Sequence, residues 1–322
     1  MNRRTVPGWW LLVVLCLAVH LPVQNAQADR KVGMLIWSAE TRYLETRAGI
    51  LDQLRKEGFG ESAVSFILEV AEESRAKLAD SVRRLAEAKP ELILTVGTVA
   101  TLAVVKGIGD VPVVFSTVYD PVAAGIATGW KSSGNNTTGA STRIPMSSLV
   151  RVLKEVAPVK RLAVLYTPGE KQTEIQLMEL QKVQAKYRIK VLPVIVTRKE
   201  EVAPTLTGIV PTVDALFLTG SSIVGAVVPA VVDMAGKEKV PTITSLSDVV
   251  NEGALFGVCA NPYRNGRLSG QKAARVLRGA RPSSIPIETD RKADLILNMK
   301  TVRAGGFQMP DAFMKRVTKV VE

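Results

Sequence analysis

Histidine is almost missing from this chain: one residue in 322, His20. Cysteine is nearly as scarce, with only Cys16 and Cys259, and aromatic residues make up 5%. The first 28 residues decide what these shortages mean. Arg3 and Arg4 are followed by the apolar run Trp9–Val19, the helix breaker Pro22 and the small-residue ending Ala26-Gln27-Ala28. This is a secretory signal pattern, residues 1–28, with cleavage expected after Ala28. The apolar run is about half the length of a membrane-spanning helix. Val13-Val14-Leu15 before Cys16 lacks the small residue of a lipid-attachment site. The mature chain then has no histidine and only Cys259, which excludes histidine general catalysis, a His/Cys zinc site and an intramolecular disulfide. So few aromatics leave little for stacking single-stranded nucleic acid.

What is present is a globular composition: 47% hydrophobic and 22% charged, enough for two packed lobes. The net charge of +12 becomes +10 without Arg3 and Arg4. The basic residues are spread among acids on helical segments, which reads as a solvated surface, and no nucleic-acid partner is expected.

From Lys31 onward, short β-branched runs alternate with longer amphipathic segments, the pattern of a parallel sheet with crossover helices. The first half predicts strands over 31–37, 63–70, 91–96 and 111–116. Its helices are predicted over 41–57, with Leu44, Ala48, Leu51 and Leu54 on the buried face, over 75–88, and from Thr98. Residues 130–138 are rich in Gly, Ser and Asn and read as a surface loop leading to a lobe boundary near 140–145. The second half predicts strands over 161–166, 190–196, 214–218, 240–244 and 254–258. Helices are predicted over 147–156, 172–187, 200–210 with Pro204 in the first turn, 224–235 and 265–278. The tail reads as extended over 286–298, then short helices. Leu92–Thr98 and Leu216–Ser222 echo each other as apolar strands that end in glycine and hydroxyl residues before a helix.

In open parallel sheets, ligands lie beyond the carboxyl ends of the strands. That rule selects Ser38, Gly97, Thr98, Thr117 and Asp120 in the first half, and Tyr166, Ser221, Ser222 and Asn261 in the second. At Gly97-Thr98, glycine admits a close ligand, and the free N–H groups of a first helical turn with the Thr98 hydroxyl suit a carboxylate. Ser221-Ser222 offers the same device. N-capping explains either junction alone; two matched junctions on facing lobes leave capping and binding equally supported. Asp120 suits a ligand ammonium or the cap of a Tyr119-Asp120-Pro121 turn. Trp37 reads as core, and Cys259 as a small buried residue rather than a nucleophile. There is no P-loop, dinucleotide fingerprint or GxSxG elbow, so no cofactor, metal site or catalytic residue is expected.

Several segments, in order, carry a resemblance: Leu94-Thr95-Val96-Gly97-Thr98, Val111-Pro112-Val113-Val114-Phe115, Asp120-Pro121-Val122, Asn136-Thr137-Thr138-Gly139, Arg161–Tyr166 and Asp294-Leu295-Ile296-Leu297-Asn298 with Lys300-Thr301. From Lys31 to the C-terminus the chain resembles the tryptophan/tyrosine-type substrate-binding proteins of ABC importers. The resemblance implies the α/β periplasmic-binding-protein type I fold, two Rossmann-like lobes with parallel sheets. Lobe 1 would comprise 29–141 and 263–284, lobe 2 142–262 and 285–322, with crossings near Asn261 and near 285–288. It implies Thr98 for a ligand carboxylate, Thr117 and Asp120 on the first lobe, and Tyr166 and Ser221 on the second. Where the family often has an acidic residue, Cys259-Ala260-Asn261-Pro262 stands here, so the resemblance does not fix the ligand as a zwitterionic amino acid.

The resulting expectation is a periplasmic, monomeric, non-enzymatic solute-binding protein that closes on a small molecule by a hinge and docks on a membrane permease. A ligand-sensing module for a signalling receptor is the alternative. Mass spectrometry of the exported protein should give a mature N-terminus at Asp29; a chain that keeps residues 1–28 contradicts the signal reading.

Overall fold

The computed structural model describes residues 30–322 together with Met1, and the expected signal segment 1–28 lies outside the described residues. The first half runs β1 (Lys31–Ile36), α1 (Thr41–Lys56), β2 (Ser65–Val70), α2 (Arg75–Ala88), β3 (Leu92–Val96), α3 (Thr98–Gly107), β4 (Val113–Val118) and β5 (Thr137–Ser141). The second begins α4 (Met146–Val156), β6 (Arg161–Tyr166), α5 (Lys171–Tyr187), β7 (Lys190–Ile195) and α6 (Lys199–Ile209). It continues β8 (Ala215–Leu218), α7 (Ser222–Gly225), α8 (Val228–Lys237), β9 (Thr242–Thr244), α9 (Ser247–Asn251) and β10 (Phe256–Ala260). Then come α10 (Pro262–Leu277), β11 (Glu288–Thr289), β12 (Ala293–Asn298), α11 (Met299–Gly305), α12 (Asp311–Met314) and β13 (Lys319–Val321).

The strands form two sheets, ordered β11-β5-β4-β3-β1-β2 and β13-β12-β10-β9-β8-β6-β7. Central strands such as β3 (Leu-Ile-Leu-Thr-Val) and β8 (Ala-Leu-Phe-Leu) are buried along their whole length, as apolar runs covered by helices on both faces must be. Every pairing is parallel except β10 with β12, so the second sheet is mixed rather than purely parallel. The chain passes between the sheets three times, after β5, after β10 and after β11. Because β11 pairs with β5, the first sheet holds the chain through Thr289, a few residues beyond the expected 284.

Four expectations fail for identifiable reasons. Residues 137–141 form a fully buried strand, not the end of a surface loop. Thr-Thr-Gly-Ala-Ser carries no large apolar residue because Phe115, on the neighbouring strand, leaves no room for a side chain at Gly139. The expected helix over 224–235 is two helices, with Pro229 in the first turn of the second. Pro204 lies inside α6, not in its first turn.

The fourth concerns α1. Its buried face is Arg42, Tyr43, Thr46, Gly49, Ile50, Gln53 and Leu54, while Leu44 is 46% exposed. The apolar periodicity misleads because α1 packs on α10 through backbone. A Cβ at Gly49 would collide with the Tyr263 carbonyl, and one at Gly266 with the Thr46 carbonyl. At Gly270 a Cβ would lie 2.7 Å from Gln53 Cβ and 2.9 Å from the Ile50 carbonyl oxygen. Small residues here bring two helix axes close enough that polar side chains at the helix ends are buried. Gly266→Ala is therefore expected to lose at least about 2 kcal/mol in urea unfolding of the mature protein. Gly236→Ala, in α8 with open space around it, is expected to gain about 0.5 kcal/mol. Equal effects would refute the close-packing account.

Candidate functional site

The carboxyl ends of both sheets face one cleft. On the first side, Gly97 caps α3 at φ +105°, with Trp37 Cβ and Tyr43 Cε1 each 3.1 Å from where its Cβ would be. Only glycine combines that backbone angle with so close a neighbour. No side chain caps α3, so its first-turn N–H groups, beginning at Thr98, point outward. Thr117 also has a left-handed backbone, φ +54°. It is held there from α10: Asn265 Oδ1 accepts from the Thr117 N–H (3.0 Å), and the Thr46 and Thr117 hydroxyls lie 3.0 Å apart.

A cavity of about 40 Å³ lies between the lobes. Arg42, Tyr43, Thr98, Val99, Thr117, Tyr119 and Thr142 line it from the first side. Gln172, Gln176, Gly220, Ser245 and Leu246 line it from the second. The Gln176 amide is fully engaged, donating to Ser245 Oγ (3.0 Å) and accepting from Gly220 N–H (3.4 Å). Gln172 Nε2 donates to Glu170 and to the Gly220 carbonyl, while its Oε1 is shielded from solvent with no partner among the described residues.

The cleft rim is charged. The buried Arg42 guanidinium stacks on the Tyr43 ring, 4.6 Å from its centroid, and pairs with Glu40 on its own side and Asp248 of α9 on the other. Trp37 Nε1 also reaches across to Ser222 Oγ (3.5 Å). Burial raises the Glu40 carboxyl despite Arg42 beside it. Burial pushes Glu170 up to about 7, helped by Glu73 across the rim and opposed by the Ser222 N–H it accepts.

Of the residues singled out in the sequence, Thr98 and Thr117 line the cavity, and Gly97 backs it. Ser38 is buried beside it and donates to Glu40 (2.9 Å). The others are placed differently. Asp120 Oδ1 accepts from Val122 and Ala123 N–H, and its Oδ2 faces Arg143 at 3.4 Å, so it caps its turn. Ser221 Oγ accepts from Ile223 and Val224 N–H, closing the end of the four-residue α7. The two junctions are thus not matched: α3 is left uncapped by side chains, α7 is not. Tyr166 packs against the core, and Asn261 caps α10 while bonding Asp294. Cys259 is fully buried, and that burial pushes its thiol well up.

The residues missed were polar ones inside helices: Arg42 in the first turn of α1, and Gln172 and Gln176 on α5. Their signal was there. Two glutamines four apart share one helix face, and Gln176 stands between the core residues Ile175 and Leu177.

Comparison with known proteins agrees with this architecture. Residues 31–321 match the family model described as ABC transporter substrate binding protein. The tyrosine-binding protein of Clostridioides difficile is 27% identical over 218 residues, 67% of this chain and 63% of that relative, so less than two thirds of it is matched. A Streptococcus pneumoniae ABC domain in complex with L-Trp is 25% identical with a TM-score of 0.85, covering 91% of this chain and 99% of that one. The ligand-free, open structure of a Clostridium difficile substrate-binding protein with adhesive properties is 26% identical, over 90% of this chain and 99% of that one, with a TM-score of 0.74.

Glu170 titrates near neutrality in the folded state, and its substitution separates its share from those of the other raised carboxyls, Glu40 and Glu252. Between 4.5 and about 7 the folded state holds a proton that the unfolded state has lost. Stability from this group therefore falls as pH rises through that window, by about 3 kcal/mol in all. Glu170→Gln should flatten the decline in unfolding free energy between pH 5.5 and 8; an unchanged slope would refute the assignment.

Proposed function

The chain belongs to the ABC transporter substrate-binding protein family, and on that premise we propose that it is an exported receptor for an aromatic amino acid, which closes its two lobes over the ligand and presents the closed form to a membrane permease. The observation that carries this reading is the uncapped N-terminus of α3 inside the interlobe cleft. Its N–H groups, its positive dipole end and the Thr98 hydroxyl suit a carboxylate. Tyr43 and Tyr119 supply aromatic surface beside it, and acceptors on the opposite lobe suit an ammonium. The relatives point the same way, one named for tyrosine and one holding L-Trp. Three chain crossings between the lobes are the hinge on which closure turns.

Among the described residues no helix is long and apolar enough to cross a membrane, and residues 1–28 would direct export and be removed. The two sheets with their helices serve as the lobes, and the protein acts as a monomer in the periplasm. Its part in transport is binding, with chemistry left to the permease and its ATPase.

Refolded mature protein should be stabilised by a few degrees, saturably, by L-tryptophan, L-tyrosine or L-phenylalanine in a thermal-shift titration. Thr98→Ala should weaken the best ligand about tenfold by calorimetry, roughly one charge-assisted hydrogen bond. No shift with any amino acid would overturn the reading.

A further inference from the structure

The second position of α5 places Gln172 on the cavity wall opposite α3. Its Nε2 donates to Glu170 Oε2 (3.3 Å) and to the Gly220 carbonyl (3.2 Å). The Gly220 carbonyl can only accept, so the amide cannot turn over without setting two oxygens against each other. Oε1 is thereby held on the other side, away from solvent, with no partner among the described residues. A carbonyl fixed in this way calls for a hydrogen-bond donor from whatever enters the cleft. Across the cavity, the α3 N-terminus calls for an acceptor. Thr98 and Gln172 line one cavity from opposite sides, so a ligand whose ammonium and carboxylate share one carbon can meet both.

We propose that Gln172 is a specificity-determining residue that accepts a hydrogen bond from the α-ammonium of the ligand, so that the protein separates α-amino acids from their deaminated counterparts. The inference rests on the amino-acid reading of this cleft and deepens it. The other acceptors nearby are differently committed. Asp120 caps its own turn, and Gln176 Oε1 accepts from Gly220 N–H. Asp248 Oδ1 has no partner either, but Asp248 pairs with Arg42 and does not line the cavity. Glu170 is the positioning residue, since its carboxylate takes one of the amide hydrogens of Gln172.

The test is calorimetric titration of L-tryptophan against indole-3-propionate, and of L-tyrosine against 3-(4-hydroxyphenyl)propionate, into the refolded mature protein. The wild type should prefer each amino acid at least about 100-fold, a floor below the roughly 10⁴-fold by which a site built to hydrogen-bond a group rejects an analogue lacking it. Gln172→Leu should lose most of that preference by weakening the amino acid alone, with binding of the propionates unchanged. If Gln172→Leu keeps the full preference, or weakens both members of a pair alike, the role assigned to Gln172 fails while the amino-acid reading stands. If the wild type binds no amino acid, the underlying reading fails with it.

Discussion

The close backbone contact between α1 and α10 is the constraint on which the rest of the architecture depends. α10 follows the second crossing between the sheets, so whatever fixes α10 fixes where the chain re-enters the first lobe. Gly49, Gly266 and Gly270 let the two helices meet at main-chain distance. Two consequences reach the cleft. Asn265 on α10 comes near enough to β4 to hold Thr117 in its left-handed backbone, which an ordinary strand end would not sustain. The start of α1 is drawn inward, which buries Arg42 and Tyr43 at the lobe interface instead of leaving them on the surface.

Polarity in the cleft follows from that placement. A buried guanidinium is tolerable only with carboxylates beside it, and Arg42 has one from each lobe. The same desolvation that makes these pairs necessary acts on Glu170, which among the described residues has no cationic partner in hydrogen-bonding distance and is pushed up instead. Gln172 and Gln176 continue the theme on the second lobe: uncharged groups that hold direction without the burden of burying a charge.

Much of the fold was legible because parallel strands buried on both faces are written in apolar residues. β1, β3, β6 and β8 announce themselves, and so does α2, bounded by Ser74 and Pro90. The illegible parts share one physical cause, packing by small or polar residues. β5 is Thr-Thr-Gly-Ala-Ser, whose burial depends on a neighbour's phenylalanine. The inner face of α1 is set by glycines on another helix far along the chain, so hydropathy chose Leu44 over Thr46. The strand-end rule selected Thr98 and Thr117, which stand where strands stop and line the cavity. It selected Asp120 and Ser221 equally well, because a cap and a ligand contact use the same residue types at the same places. It passed over Gln172, whose position depends on the three-dimensional closing of a helix over the cleft.

The Arg42–Asp248 pair and the Trp37–Ser222 contact join the lobes using only the protein's own atoms. Their energy is therefore the same for every ligand, and it sets the fraction of molecules already in the binding-competent state. Apparent affinity is the intrinsic affinity scaled by that fraction. The rim thus acts as a volume control separate from the selector at the cleft floor. Evolution or an engineer could retune how tightly this protein holds its ligand, and how readily it releases it, by changing Asp248, which lies outside the cavity lining, while leaving untouched the residues that face the ligand.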